Sequence, residues 1–317
     1  MRVAALVPAY PPRSNVGAWV ATHGYLRHLV ACGHHVDVFV LSDHGQSTDT
    51  LDGVTIGPDV NQVALETAVA ISDVVISHVG DTNRAANLAA KWGKPNIRMA
   101  HGHIEKLAAL EGAALVVFNS QNLAATVDCP SPSIVCHPPV DAARFRTTPG
   151  DRVTLVNLSE AKGGELFWRL VRCAPHRLFL GVKGSYGIQY GEQQPNADMI
   201  PNTPNMRDDV YTRTRILLMP SDRETWGMTA VEAAASGIPT IAHPTDGLIE
   251  SLGDAGVFVD RDDGQGWLDE IERLHDPVEW AKASDLALAR STELDPAADL
   301  DRFLTHIEAL HCTGVPA

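Results

Sequence analysis

Residues Leu218 to Ala242 read LMPSDRETWGMTAVEAAASGIPTIA, and their succession sets the fold class. The apolar run Arg215–Met219 predicts a buried strand, and Pro220 to Thr225 form a polar loop. Small and apolar residues from Trp226 to Ser236 then predict a helix, which Gly237 and Pro239 end. Ile238–Ala242 is the next apolar strand. Two strands joined through a helix by short loops form a parallel βαβ unit. Thr225 to Met228 fall at the helix start, where unpaired N–H groups and the helix dipole favour an anionic or hydroxyl-rich ligand. Glu224 lies in the loop and Glu232 two turns into the helix, so two carboxylates could accept hydrogen bonds from two parts of one polyhydroxylated molecule.

The same alternation runs outward in both directions. Upstream, strands are expected at Arg2–Val7, His35–Leu41, Val54–Ile56, Asp73–Ser77, Asn96–Ala100 and Ala114–Phe118. Helices are expected at Ala18–Cys32, Gln62–Ala70, Thr82–Trp92 and Gln121–Thr126. Pro130–Pro149 is proline-rich and ends in Thr147-Thr-Pro-Gly150, which reads as a linker. Beyond it come strands at Val153–Asn157, Arg177–Leu180 and Gly256–Val259, helices at Gly164–Cys173 and Asp208–Thr214, and a largely helical tail from Gly266. Continuous Val/Ile/Leu/Ala strands separated by helices imply parallel sheets covered on both faces. The expected architecture is α/β: two Rossmann-like doubly wound domains, residues 1–147 and 148–294, facing a central cleft. A helix at about 295–317 would pack back on the first. Ligands of such sheets sit beyond the C-terminal strand ends, at the switch point.

Composition narrows the function classes. The chain has 317 residues, 44% hydrophobic and 20% charged, and a net charge of −14. Residues 1–150 hold 10 Lys+Arg against 12 Asp+Glu, and the remainder hold 15 against 27. Gripping nucleic acid through its phosphates normally requires a basic face, so a nucleic-acid partner is not expected. One nucleotide diphosphate needs only a cation or two, glycines and helix N-termini. No apolar run approaches the ~20 residues of a membrane-spanning helix. Arg2–Val7 reads as a strand rather than a signal peptide because prolines follow it at once. The five cysteines form no CxxC pair, which fits free thiols in a reducing cytoplasm.

The Leu218–Ala242 stretch resembles the signature of the family-four retaining glycosyltransferases of GT-B fold. The match is to P-S-x-x-E-x-(F/W)-G-x-x-x-x-E-A-x-x-x-G-x-P, with Glu224 and Glu232 eight residues apart. The resemblance implies that Glu224 meets the donor sugar near the reacting centre and that Glu232 holds the nucleotide ribose hydroxyls. Backbone N–H groups of Thr225, Trp226, Gly227, Met228 and Thr229 would face sugar and phosphate. In Leu155-Val-Asn-Leu-Ser-Glu-Ala-Lys-Gly-Gly164 the family's phosphate-binding lysine corresponds to Lys162. The arginine usual five residues earlier is Asn157 here, so either the leaving diphosphate is held less strongly or another cation, such as Lys183, substitutes. Gly17 falls in the family's glycine-rich loop after the first strand. His101, in Met99-Ala-His-Gly-His103, matches the histidine that faces the donor sugar from the acceptor domain.

Other matches carry less chemistry. Cys136-His-Pro-Pro-Val-Asp-Ala-Ala-Arg-Phe145 resembles the segment closing the N-terminal domain, and Asn202–Tyr211 the loop that holds the base. Glu250, in Asp246-Gly-Leu-Ile-Glu250, reads as a helix-start residue. His101-x-His103 has metal-ligand spacing without a third ligand, so no metal and no cofactor are expected beyond the donor.

The resemblance implies transfer of a hexosyl or pentosyl group from a UDP- or GDP-sugar to a hydroxyl acceptor, with retention of configuration. A cytoplasmic protein, soluble or peripheral to a membrane, is expected. A nucleotide-sugar-binding protein with weak or no transfer, and a DNA-base-modifying glycosyltransferase, remain as alternatives. An epimerase or an orthophosphate-using phosphorylase is disfavoured by the paired glutamates and the absence of a cofactor-lysine motif.

Overall fold

The computed structural model describes residues 1–41, 48–58, 62–78, 82–102 and 109–313. It divides into two compact units, Met1–Pro139 with the chain from Pro296 onward, and Val140–Asp295. The first runs β1 (Arg2–Val7), α1 (Gly17–Ala31), β2 (His35–Val40), β3 (Asp49–Leu51), β4 (Val54–Pro58), α2 (Gln62–Ile71), β5 (Val74–His78), α3 (Thr82–Lys91), β6 (Asn96–Ala100), β7 (Leu115–Phe118), α4 (Gln121–Ala125) and β8 (Ser133–Val135). The second runs α5 (Ala142–Phe145), β9 (Arg152–Val156), α6 (Gly164–Cys173), β10 (Phe179–Val182), β11 (Ala197–Ile200), β12 (Thr214–Met219), α7 (Met228–Ala234), β13 (Thr240–Ala242), α8 (Asp246–Leu252), β14 (Gly256–Phe258), α9 (Gly264–Arg273) and α10 (Pro277–Glu293). The last helix, α11 (Ala297–Thr313), returns to the first unit.

Among the described residues the first unit forms one sheet, ordered β3-β4-β2-β1-β5-β6-β7-β8, and the second one ordered β11-β10-β9-β12-β13-β14. All pairings are parallel except β3 with β4. Parallel strands need both faces covered, and Val3, Ala5 and Val7 point to one core cluster while Ala4 and Leu6 point to another. In each unit the chain winds one way from its first strand and then back across it. The switch points therefore lie between β1 and β5, and between β9 and β12.

The helix read from Ala-rich sequence is α7. Ala230, Val231, Ala233 and Ala234 are buried, and their small side chains let it lie close to its neighbours. It ends as the sequence dictates. Gly237 takes φ +66°, its N–H reaches Ala234 O, and Ile238 N–H reaches Ala233 O, closing a Schellman turn. On α6, Leu166, Phe167, Leu170 and Val171 bury one apolar face against the sheet, and Trp168 is enclosed as well.

α11 is part of the first unit's core. Phe303 and Ile307 are fully buried with strand residues, and Tyr25 stacks on Phe303 at 4.8 Å. Asp299 accepts from both the backbone N–H and Nδ1 of His137, at 3.0 and 2.7 Å, and pairs with Arg302 at 2.7 Å.

Two expectations are corrected. The junction lies at 139/140, not 147/148. Ser236 Oγ accepts from Thr147 N–H and donates to Phe145 O, fastening this segment to the second unit. Residues 147–150, read as a linker, carry no helix or strand, and the proline-rich stretch before them holds β8 and α5. Asp208–Thr214 is not an α-helix but a π turn and a 3₁₀ turn leading into β12. Here Thr203 Oγ1 draws in Asp209 and burial of Val210 and Tyr211 sets the winding.

Candidate functional site

In the second unit the site residues occupy the switch point. β9 and β12 are neighbours, and the loops after them carry Lys162 and Glu224. Two glycines allow those loops to meet. Gly163 takes φ +84°, and a Cβ there would stand 2.4 Å from Pro220 Cγ. Gly247, at the start of α8, lies against the Glu224–Thr225 peptide, where a Cβ would meet Glu224 O at 2.3 Å. A backbone bond from Asp222 N–H to Ala161 O, 3.0 Å, ties the loops directly. Lys162 Nζ consequently donates to Glu224 Oε1, which also accepts from Ser221 Oγ at 3.1 Å. Burial pushes the Lys162 ammonium down, but Glu224, Tyr186 and Asp222 together hold it above the ordinary lysine value. It is a fixed positive charge. Among the described residues no donor reaches Glu224 Oε2, so half of that carboxylate is open to a ligand.

Glu232 is 7% exposed. Tyr211 Oη donates to its Oε2 at 2.7 Å, and among the described residues no cation pairs with it. Burial pushes its carboxyl up to about 7, against the opposing pull of the Tyr211 hydrogen bond. Tyr211 in turn is raised well above its usual range by its own burial and by the neighbouring carboxyl.

Thr225 to Thr229 lead into α7, with Gly227 at φ +88° in the N-cap position. The Gly227 conformation leaves no room for a side chain, since Leu248 Cδ2 would lie 2.6 Å from a Cβ. Trp226 and Met228 turn their side chains inward, against Val140, Val231 and Leu294. Trp226 is buried, so of this residue only the backbone is available to a ligand.

Asn157 has a different place from the expected one. It adopts φ +71°, and its Oδ1 accepts from Ser159 N–H and Gln189 Nε2 at 3.2 and 3.0 Å. Gln189 Oε1 accepts from Leu158 N–H and Gly184 N–H at 2.9 and 2.7 Å. The Asn157 side chain braces the loops after β9 and β10. Lys183 follows β10, whose Val182 pairs with Val156 next to Asn157, and it has no ion-pair partner among the described residues. A further cation escaped the sequence reading. Arg261 donates to Glu160 O beside the Lys162 turn and lies 3.9 Å from Asp222. Glu250 lies inside α8, not at its start.

His101 belongs to the first unit, just after β6. Its Nε2 is 3.3 Å from Thr22 Oγ1, its carbonyl accepts from Asn119, and its ring stacks on His78 at 5.4 Å. Trp19 meets His78 edge-on at 4.7 Å, which brings the start of α1, and with it Gly17, to this histidine pair. Desolvation, with a smaller contribution from His78, lowers His101 to about 3, so it is a neutral imidazole at physiological pH. His78 was not singled out in sequence, although it ends a strand beside the switch point. His103 lies outside the described residues. Among those described, no cluster of three or more His, Cys, Asp or Glu is placed to hold a metal ion.

This geometry can be set beside known proteins. Residues 191–276, which include both glutamates, match the family model described as glycosyl transferases group 1. The match covers just over a quarter of the chain. D-inositol 3-phosphate glycosyltransferase of Corynebacterium diphtheriae is 37% identical over 78 residues, and that of Corynebacterium aurimucosum 36% over 78 residues. Each match takes in 24% of this chain and 18% of the relative, so the chain spans under a fifth of these curated relatives. The group 1 segment sits in a whole-chain likeness of lower identity. Sucrose-phosphate synthase from Thermosynechococcus elongatus superposes with a TM-score of 0.79 at 15% identity, over 99% of this chain and 100% of that one. Anabaena HepE in complex with UDP-glucose gives 0.76 at 14% identity, over 98% and 100%. The fold is GT-B. No helix among the described residues is long and apolar enough to cross a membrane.

Proposed function

We propose that this protein moves a sugar from a nucleoside diphosphate sugar to a hydroxyl acceptor, with retention at the anomeric carbon. The observation that carries the reading is the Lys162–Glu224 pair at the β9/β12 switch point, with Glu224 inside the segment that matches the group 1 family model. A lysine locked in its charged form neutralises a leaving diphosphate, and a half-open carboxylate beside it orients sugar hydroxyls. Glu232 receives the ribose hydroxyls, and the backbone of Thr225 to Thr229 receives sugar and phosphate oxygens. The anomeric C–O bond to phosphate breaks, the acceptor oxygen bonds to the same face, and its proton passes to the departing phosphate oxygen.

HepE is named in complex with UDP and UDP-glucose, which supports uridine as the first base to test. One observation favours a second reading, a nucleotide-sugar-binding protein without transfer. Asn157 stands where the family has a cation, and its carboxamide oxygen is committed to the protein. Release of free nucleotide from UDP-, GDP- and ADP-sugars, with and without an acceptor panel, separates the two. Under the transferase reading one donor releases nucleotide, Glu224→Ala lowers the rate by orders of magnitude, and NMR of the product shows retained configuration. Binding without release supports the second reading, and near-normal release by Glu224→Ala overturns the assignment of Glu224.

A further inference from the structure

A cavity lies in the first unit by the N-terminal ends of β6 and β7. It encloses about 520 Å³ among Ala86 and Ala89 of α3, Pro95, Arg98, Ala114 and Leu310 of α11, with Lys94 at its rim. Most of its wall is apolar, and among the described residues no Asp or Glu lines it. Arg98 is 5% exposed, yet no carboxylate pairs with it among the described residues. Its Nε donates to Asn96 Oδ1 at 3.0 Å and its Nη1 to Ala109 O at 2.5 Å. Two of five guanidinium N–H groups are thus used by neutral acceptors. Lys94 also has no ion-pair partner among the described residues.

A buried guanidinium facing neutral partners carries an uncompensated desolvation cost. We propose that this cavity is a binding site for a small amphiphilic anion, its headgroup taken by Arg98 and Lys94 and its apolar body by the alanine, proline and leucine wall. The volume suits a small organic ligand. A planar guanidinium fork matches carboxylate and phosphate equally, so the headgroup class is an oxyanion. Burial lowers the Arg98 pKa, the direction expected of a cation without a counterion. The site is independent of the donor reading, since every wall residue lies in the first unit.

The test is titration calorimetry of the full chain with octanoate, octyl phosphate, octanol and inorganic phosphate. Saturable one-to-one binding of octanoate or octyl phosphate is expected, with octanol and inorganic phosphate at least tenfold weaker. Which of the two anions binds tighter identifies the headgroup. Arg98→Met should abolish binding, Lys94→Gln should weaken it about tenfold, and Ala86→Leu, which fills the cavity from a helical position, should abolish it. Circular dichroism checks that each variant is folded, and the last two keep the test valid if Arg98→Met is not. Equal binding of octanol, binding that survives Ala86→Leu unchanged, or no binding of either anion at millimolar concentration would overturn the proposal.

Discussion

Replacing Glu232 by Gln should make the free protein more stable and the donor weaker, and the size of the first effect depends on pH. The side chain is buried, and its carboxyl is held at about 7 against an ordinary 4.5. At about 1.36 kcal/mol per pH unit, that difference corresponds to about 3 kcal/mol. The sign follows from proton uptake. Between pH 4.5 and 7 the folded chain keeps a proton that the unfolded chain has lost, so stability falls as pH rises through this window. Above 7 the full cost of a buried, unpaired carboxylate is present. Glutamine keeps the acceptor for Tyr211 Oη and removes the titration. Urea unfolding at pH 5 and pH 8 should therefore show the variant gaining on the wild type by about 2–3 kcal/mol between the two pH values. Titration of the donor nucleotide should show weaker binding to the variant, because a carboxamide accepts less strongly from ribose hydroxyls than a carboxylate. Parallel stability curves for the two proteins across that range would refute the reasoning.

Other perturbations probe separate parts of the structure. Gly163→Ala places a Cβ against Pro220 at a left-handed φ, so it should cost about 1–3 kcal/mol by thermal unfolding and weaken nucleotide binding in step, since the same contact sets the Lys162–Glu224 approach. Gln189→Ala strips the brace from Asn157 and two backbone N–H groups; a loss of about 1–3 kcal/mol is expected, and an unchanged midpoint would show that the brace is idle. Asp299→Asn tests the seam that fastens α11. Burial alone would raise Asp299, but His137 and Arg302 more than offset this and hold it below the usual range. Its contribution should be complete above the unfolded value near 3.8 and vanish as pH falls through the lower folded one, so wild type and variant should converge in acid denaturation.

The sequence makes the parallel strands and the Lys162 and Glu224 loops legible for a common reason. Continuous apolar runs and a Schellman glycine are local signals whose consequences stay local. The β3–β4 hairpin had such a signal too, since Leu51-Asp52-Gly53-Val54 contains the Asp-Gly pair of a tight turn, with both φ values positive in the structure. It went unread because the strands are short. The junction at 139/140 depended on Ser236 reaching back to Phe145 and Thr147, a contact across 89 to 91 residues that no window displays. The same holds for Arg261 at the Lys162 turn, 101 residues from Glu160. Asn157 was read as a missing cation, and its partner Gln189 appears only when β9 and β10 are laid side by side. The direction of the Trp226 indole likewise depends on Val140 and Leu294, which sequence places far away.

The return of α11 to the first unit fixes an order of assembly. Phe303 and Ile307 complete the core around β1 and Tyr25, yet they are synthesised after all of Val140–Asp295. The unit that leaves the ribosome first is therefore the one that finishes last. Until α11 docks, the apolar surface it covers stays open to solvent while the second unit, continuous in sequence, has everything it needs to close. A fragment ending at Pro139 would carry that open face permanently, and a chaperone that binds apolar surface would have its longest access there.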